Sequence, residues 1–295
     1  MAQALAQPAI VARTSRRRLR RPTIVYLTNL VLGVLFMLPF LWTVSSALKS
    51  PTEIFEFPPR IIPAMPQPYN FVEIFQAPYR FGLWTWNSIA VALLATAGTV
   101  ATASLVAYGF ARFEFRLKNV LFGLTIATML LPGQVTLIPR FVLFKQLGMI
   151  GTQYPLWLPF WFGGSAFAIF LVRQFLLTLP RELDEAAIID GAGYFRIFWN
   201  VLMPLCKPAL AALAIISFIA HWDSFLEPSI FLSDPEKFTL AIGLWFFKQQ
   251  PMVASKPTTH LLMAASVASI VVPIALFFSF QRYFVQGIAL TGLKG

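Results

Sequence analysis

The chain has 295 residues, of which 58% are hydrophobic and 12% are charged, and its formal net charge is +11. Soluble globular domains carry about 25% charged residues, so this composition excludes an ordinary soluble protein and indicates an integral membrane protein. Six of the 23 basic residues lie between Arg13 and Arg21, beside the first apolar stretch, where they indicate a topology signal or a contact with anionic lipid rather than with nucleic acid.

Residues 1–22 are polar and then arginine-rich, without the small-residue cleavage site of a signal peptide. We expect them to form a basic cytoplasmic tail, followed by one transmembrane domain over 23–295. A helix crosses the hydrocarbon core with about 20 mostly apolar residues. The stretches that qualify are 23–47, 86–111, 119–142, 155–178, 208–232 and 260–283. The sequence thus predicts an all-α integral membrane protein with six transmembrane helices.

The basic residues are unevenly divided between the segments that connect these helices. With the N-terminus inside, the inner segments hold fifteen Lys and Arg residues and the outer segments hold eight. Because basic residues are retained on the cytoplasmic side, we expect both termini and the loop over 178–208 to be cytoplasmic.

The outer segment 49–84 is rich in proline and aromatic residues, which disfavours helix and suits a compact cap on the membrane surface. Trp84 and Trp86 are expected in the interfacial aromatic belt. The second predicted helix carries small and hydroxyl residues between Ala95 and Ser104, which would let neighbouring helices approach closely.

Two predicted helices contain interrupting or polar residues. Pro132 and Gly133 predict a kink or unwound segment in the third helix, since proline removes a backbone hydrogen bond; such a kink is compatible with a path-lining role for the residues after it, and equally with no role in transport. In the fifth helix, Asp223 is either a functional residue inside the membrane or, if Pro228 ends the helix, a solvated group at the outer interface. The candidate translocation-path residues are Asn87, Gln134, Thr136, Trp222 and Asp223.

The sequence lacks the motifs of enzymes that could act alone. The phosphate loop GxxxxGK[ST] and the motifs HExxH and GxSxG are absent. A single cysteine, Cys206, and two histidines give no basis for an internal disulfide or a Cys/His metal site. We therefore expect no catalytic residue, metal or cofactor on this chain, and the energy for active transport must come from a partner or an ion gradient.

The loop 178–208 holds four of the twelve acids, namely Glu182, Asp184, Glu185 and Asp190. Pro180 and the acids after it suit the first turn of a helix, and Asp190-Gly191 suits its end. A second short helix is predicted from Tyr194 to Met203, halted by Pro204, with Pro208 opening the fifth spanning helix. This predicts a helix-turn-helix between the fourth and fifth transmembrane helices, outside the bilayer.

Two interpretations of this helix-turn-helix follow from the residues alone. Glu185 offers a carboxylate and Ala186-Ala187 a small-side-chain surface to a partner protein. The alternative is a solvated loop whose acids balance local arginines. The order and spacing of the residues favour docking.

The run Glu185-Ala186-Ala187, followed by Gly191, Val201 and Met203-Pro204, resembles the EAA loop of permease subunits from binding-protein-dependent ABC importers. The surrounding string is similar to that of the carbohydrate-importer branch, particularly the shorter permease of maltose and glycerol-phosphate type systems, and the resemblance covers about 23–295. Val201 and Met203 replace the family's usual Ile and Leu. Asp223 and Ser224 stand where the family commonly has Asn followed by an acid, so no family role carries over to Asp223.

The resemblance implies a transport subunit of the prokaryotic cytoplasmic membrane that moves a sugar or sugar-like solute inward by alternating access. It implies as partners a second permease subunit, two nucleotide-binding ATPase subunits that hold ATP and Mg, an extracytoplasmic solute-binding protein and membrane lipid, with no nucleic acid. The ATPase-coupling residues would be Glu182, Glu185, Ala186, Ala187, Asp190, Gly191 and Ala192. The alternative is a stand-alone ion-coupled secondary transporter or channel, for which intramembrane ionisable pairs and inverted repeats would be expected.

Overall fold

A computed structural model of the chain describes residues 20–76, 78–163, 165–249, 252–253 and 256–280. The predicted basic tail therefore lies outside the described residues, except for its last three. In chain order the α-helices are α1 (Arg20–Ala47), α2 (Asn70–Glu73), α3 (Phe81–Arg112), α4 (Lys118–Ala127), α5 (Gly133–Gln146), α6 (Tyr154–Trp157), α7 (Ala166–Thr178), α8 (Glu182–Ile189), α9 (Tyr194–Arg196), α10 (Met203–Leu205), α11 (Lys207–Trp222), α12 (Leu226–Phe231), α13 (Leu240–Gln249) and α14 (Thr259–Ser269). The remaining elements are short 3-10 helices at Glu53–Phe55, Thr128–Leu130 and Leu158–Phe162, a π-helix at Ile197–Leu202, and an antiparallel pair of two-residue strands, β1 (Met252–Val253) and β2 (Lys256–Pro257).

Helical stretches long and apolar enough to cross a membrane account for most of the described chain. Four of them cross without a sharp bend, namely Ile24–Ala47, Phe81–Arg112, Tyr154–Thr178 and Thr259–Phe280. Two further stretches are long and apolar enough only when two helices joined at a sharp bend are taken together. Lys118–Leu130 meets Gly133–Gln146 at 98°, and Tyr194–Leu205 meets Lys207–Trp222 at 78°. The described residues thus contain four candidate spans, or six if each bent pair counts as one, and the helical membrane class is confirmed. The predicted break at Pro132 is confirmed as well.

Two other predicted spans are not continuous α-helices. The span 208–232 ends at Trp222 and resumes at Leu226; Pro228 has no amide hydrogen to donate to the residue four positions earlier, so the helix stops a turn before it. The span 155–178 is interrupted at Gly163, whose φ is +82°. Ser165 then caps α7 by accepting a hydrogen bond from the amide of Ala168.

The central helix is α3, which packs against α7, α11 and α13. Its 32 residues span about 48 Å at 1.5 Å per residue, well beyond a hydrocarbon core of about 30 Å. The predicted role of its small residues in close packing is confirmed at Gly98, where a Cβ would lie 2.6 Å from Cδ1 of Trp161. The indole nitrogen of Trp161 donates to the carbonyl of Leu94.

The segment between α1 and α3 is a cap whose described residues contain two short helical turns, in agreement with the prediction that its composition disfavours long helices. Lys49 is almost fully buried beneath it; its ammonium donates to the carbonyl of Arg60 at 2.7 Å and lies 4.3 Å from the ring centre of Trp42. The side-chain amide of Asn70 donates to the carbonyls of Ala47 and Lys49. These bonds fix the cap to the end of α1.

The prediction that Trp84 belongs to the interfacial belt is wrong. Its side chain is 2% exposed and its indole nitrogen donates to the carbonyl of Pro235, while Trp86 remains exposed. The reason is tertiary: Trp84 packs against Gly243 of α13, which leaves room for the ring.

The buried core divides into two clusters along α3. The cap-end cluster includes Phe81, Trp84, Phe218, Trp222 and residues of α13 and α14. The loop-end cluster combines the second half of α3 with α7, the π-helix and the start of α11, and includes Tyr108, Val172, Leu202 and Cys206.

Candidate functional site

The stretch 178–208 folds into α8, a glycine turn and a second helical segment. Gly191 has φ +77°, the left-handed conformation that glycine adopts without steric cost. Its amide donates to Ile188 O at 3.0 Å, and the amide of Ala192 donates to Ala187 O at 2.9 Å. This pair of bonds is a Schellman turn, which satisfies carbonyls left free at the end of α8.

The second helical segment does not stop at Pro204, contrary to the sequence prediction. It runs as α9, the π-helix and α10 from Tyr194 to Leu205. In an α-helix, Pro204 would lack the hydrogen bond to the carbonyl of Asn200 and its ring would collide with that group. The π-helix over Ile197–Leu202 widens the turn just before the proline, so the helical chain passes through.

Most residues predicted to couple to an ATPase lie on the surface of this segment. Glu182, Glu185, Ala186, Asp190 and Gly191 are exposed. Ala187 and Ala192 are half-buried against the loop-end cluster. The carboxylate of Glu185 and the methyl group of Ala186 are therefore accessible to a partner.

Large apolar side chains surround these residues. Ile189 is 86% exposed, Phe195 71% and Trp199 64%, with Ile188 half-exposed. An exposed apolar patch of this kind, beside charged residues, marks an interaction surface. Sequence reasoning missed it, although four large apolar residues within a charged loop could have indicated it.

The loop is anchored to the end of α3 by buried polar contacts. Arg112 Nε lies 3.1 Å from Asp184 Oδ2, with 7% and 16% of the two side chains exposed. Arg112 also donates to the carbonyl of Leu179, and the Tyr108 hydroxyl donates to the carbonyl of Tyr194 at 3.1 Å. Both halves of the loop are thus bonded to the central helix. Sequence reasoning did not identify Arg112 or Asp184 as partners, because they are far apart in the chain.

A second ion-pair network, centred on the exposed Glu114, lies beside this anchor. Glu114 pairs with Lys118 at 2.9 Å and with Arg181 at 3.6 Å. The hydrogen bond and charge of Lys118, assisted by Arg181, hold the pKa of Glu114 below its usual value. The two networks line an open pocket of about 390 Å³, which Glu185 and Ile188 also line.

The sequence and fold were compared with known proteins. Residues 96–290 match the family model described as the binding-protein-dependent transport system inner membrane component. The chain belongs to this family. It is 36% identical over 268 residues to the sn-glycerol-3-phosphate transport system permease protein UgpE of Yersinia enterocolitica, covering 88% of this chain and 93% of that protein. It is 32% identical over 269 residues to the arabinooligosaccharides transport system permease protein AraQ of Bacillus subtilis, covering 90% and 93%.

A solved structure shares the fold of this permease. It is the crystal structure of a bacterial ABC transporter involved in the import of the acidic polysaccharide alginate, with a TM-score of 0.74 and 24% identity, covering 90% of this chain and 98% of the other. Its family and its relatives UgpE and AraQ show that the permease is a transport subunit rather than an enzyme, which confirms the sequence prediction.

The residues predicted to line a translocation path differ in their burial in the permease. Asn87 is buried and donates from Nδ2 to the carbonyls of Glu236 and Phe238, both at 2.9 Å. Trp222 is buried, with its ring stacked 6.0 Å from that of Phe218. The others are exposed, Asp223 at the end of α11 and Gln134 and Thr136 in the first turns of α5.

A cleft of about 330 Å³ with a mainly apolar surface and several polar side chains lies between α3, α7, α11 and α12, and sequence reasoning missed it. Glu227 reaches it from α12, beside His221 and Ser224 at the helix break. The full lining is Thr99, Phe160, Ser165, Phe167, Leu213, Ile216, Ser217, Ala220, His221, Ser224 and Glu227. Both carboxylate oxygens of Glu227 accept from the guanidinium of Arg140 in α5. The two residues are 87 positions apart, so no local sequence signal pairs them.

The described residues offer no group of three or more His, Cys, Asp or Glu side chains suited to a metal ion. The guanidinium carbon of Arg173, in α7, lies 4.0 Å from the ring centre of Phe122, and its Nε donates to the carbonyl of Phe110. Aromatic and backbone contacts thus accommodate its charge.

Proposed function

We propose that this permease is one of two membrane subunits of an importer for a sugar or sugar-like solute, driven by separate ATPase subunits that dock on the 178–208 loop. Membership of the family makes this chain a transport protein. The docking claim rests on the exposed surface of α8 and α9. This surface is bonded to α3 through the buried Arg112–Asp184 pair. A displacement of the loop would therefore move the central helix.

The docking surface combines a small-residue centre with charged and apolar edges. Ala186 and the half-buried Ala187 and Ala192 would let a groove of the ATPase approach closely, and Glu185 would pair with a basic residue of that groove. Glu182 and Asp190 would contribute negative charge at the two ends of α8, while Gly191 sets the turn. Phe195 and Trp199 would supply apolar area to the interface, where aromatic residues are enriched.

The remaining parts of the importer follow from the same proposal. The second permease subunit would complete the path, a solute-binding protein would deliver the solute at the cap end, and ATP and Mg would be held by two ATPase subunits. Both termini and the loop would face the cytoplasm. Alternating access would consist of movement of α3 and the broken helices when the ATPase subunits close. The relatives are transport permeases for sn-glycerol-3-phosphate and arabinooligosaccharides, which supports the sugar or polyol class.

Purification of the tagged permease with its ATPase subunits tests this proposal. We expect Glu185→Arg to abolish uptake in proteoliposomes and to reduce retention of the ATPase subunits, because it places like charges in contact. Glu236→Arg is the matched control, since Glu236 pairs with Arg80 at the opposite, cap end; it should keep the ATPase subunits bound. Unchanged uptake by Glu185→Arg at normal expression contradicts the docking claim.

A further inference from the structure

The cleft lies at the junction between the cap-end and loop-end clusters. Thr99 is near the midpoint of α3, between the parts of that helix that enter the two clusters. In α11, Ser217 separates Leu213 of the loop-end cluster from Phe218 of the cap-end cluster. Both positions place the cleft near the middle of a membrane-spanning segment, which is where transporters bind their solutes.

The backbone around the cleft is irregular in two places. The helical structure is interrupted at Asp223–Phe225, after α11, and at Gly163, before α7. Ser224 and Ser165, one from each break, line the cleft. Non-helical backbone at membrane depth is tolerated where it lines a polar cavity, because its free groups are then satisfied there.

The side chains that line the cleft can donate and accept hydrogen bonds in several directions. Ser217 and Ser224 contribute hydroxyl groups, His221 an imidazole and Glu227 a carboxylate. The ring of His221 is held edge-on against Phe160 at 4.4 Å between centroids. Hydroxyl, imidazole and carboxylate groups around an apolar floor match the alternating polar and apolar surface of a polyhydroxylated solute.

The charges of the cleft disfavour an anionic solute. Among its described lining residues there is no Lys or Arg, and the nearby guanidinium of Arg140 is already engaged by both oxygens of Glu227 and by the carbonyl of Pro155. A phosphate or carboxylate is normally bound by a free guanidinium or ammonium group. Here an anion would meet the Glu227 carboxylate instead.

We propose that this cleft is the permease's own solute-contacting site, that it accepts a neutral polyhydroxylated solute, and that the Arg140–Glu227 pair excludes phosphorylated and acidic ones. The inference rests on the proposed importer function and deepens it. Glu227 accepts hydrogen bonds from solute hydroxyls, and Arg140 fixes the orientation of that carboxylate. The pair also sets the charge that the solute meets.

Thiol protection in the complete, detergent-solubilised importer tests the site. In a Cys206→Ala background, Ser224→Cys places a reactive thiol in the cleft, and Ser233→Cys places one on the exposed surface outside it. The measurement is the rate of N-ethylmaleimide labelling in the presence of millimolar arabinose, arabinotriose or sn-glycerol 3-phosphate. We expect the two neutral sugars to slow labelling at Ser224→Cys only, and sn-glycerol 3-phosphate to leave both rates unchanged.

Charge variants in the same Cys206→Ala background test the solute selectivity of the cleft separately from solute binding. Glu227→Gln removes the charge-assisted acceptor and frees Arg140, so protection by the sugars should weaken about tenfold and protection by sn-glycerol 3-phosphate should appear. Arg140→Gln keeps the carboxylate, and so should gain no protection by the phosphate. Retention of the ATPase subunits shows that each variant is folded.

The outcomes distinguish this inference from the proposed function. Equal protection by sn-glycerol 3-phosphate and the sugars in the parent overturns the charge assignment. Absence of protection by every probe overturns the cleft as a solute site. In either case, ATPase subunits that remain bound leave the importer function standing, whereas failure to recover those subunits with the parent chain counts against the importer function itself.

Discussion

The guanidinium of Arg112, the last residue of α3, lies 3.1 Å from the carboxylate of Asp184 in α8. The pair joins the longest described helix of the permease to the loop on which we propose that the ATPase docks. Both side chains are largely removed from water, so neither charge can be solvated if the other is lost.

Replacing Asp184 with Asn should therefore weaken this joint. Removing one member of a buried ion pair costs about 3–5 kcal/mol, here reduced by the hydrogen bond that Arg112 keeps with Leu179. We expect a lower Tm for the purified complex and fewer solute molecules imported per ATP hydrolysed. The double variant Arg112→Gln/Asp184→Asn should recover part of the lost Tm, because it leaves no charge buried alone.

The neighbouring pair of Glu114 and Lys118 provides the control for this prediction. Glu114 is exposed, and exposed ion pairs contribute little to stability. Glu114→Gln should leave both the Tm and the ratio of transport to hydrolysis near the parent values. An equal loss in Glu114→Gln and Asp184→Asn would contradict a specific joint at Arg112.

Gly191→Ala tests the turn between α8 and α9. No atom lies within 4 Å of a Cβ added at Gly191, but its φ is +77°, and a left-handed conformation costs a residue with a Cβ roughly 1–2 kcal/mol. We expect faster amide hydrogen exchange at 186–192 and weaker retention of the ATPase subunits. Gly191→Pro should abolish retention, since proline fixes φ near −65°.

Gly193 supplies a matched glycine two residues away. Its φ is −73° and nothing lies within 4 Å of its Cβ position, so alanine fits without strain. Gly193→Ala should therefore behave like the parent in both measurements. If it impaired retention as much as Gly191→Ala, conformational strain at Gly191 would not be the cause.

The features predicted correctly from the sequence depend on local composition. The apolar stretches, the break at Pro132 and the turn at Gly191 each follow from the residues within one or two helical turns, because hydrophobic length and the backbone limits of proline and glycine are local properties. The π-helix before Pro204 is local as well, but a proline signal alone does not distinguish a stop from a widened turn.

The features that were not predicted from the sequence depend on contacts between residues that are far apart in the chain. Trp84 is buried because Pro235, 151 residues away, accepts its hydrogen bond. Glu227 is held at the cleft by Arg140, 87 residues away in the chain. Tertiary contacts decide such positions, and one sequence without its fold does not reveal them.

Gly98→Ala tests the close contact between α3 and the 3-10 helix at Leu158–Phe162. The added Cβ would lie 2.6 Å from Trp161 Cδ1, and overpacking of this kind costs about 1–3 kcal/mol. We expect a lower Tm, partly restored by Trp161→Leu in the double variant. Gly109→Ala, in the same helix with no atom within 4 Å of its Cβ position, should not lower the Tm.

Asn87→Ala tests whether this path candidate acts on the solute or on the fold. The variant removes the donor to the carbonyls of Glu236 and Phe238, and leaving the buried Phe238 carbonyl without this partner costs about 1–3 kcal/mol. We expect the Tm to fall while the KM for solute uptake stays near that of the parent. Gln134→Ala, at an exposed position of α5, should leave the Tm unchanged. A raised KM with an unchanged Tm in Asn87→Ala would instead place this side chain on the translocation path, because only a residue that contacts the solute changes its binding without weakening the fold.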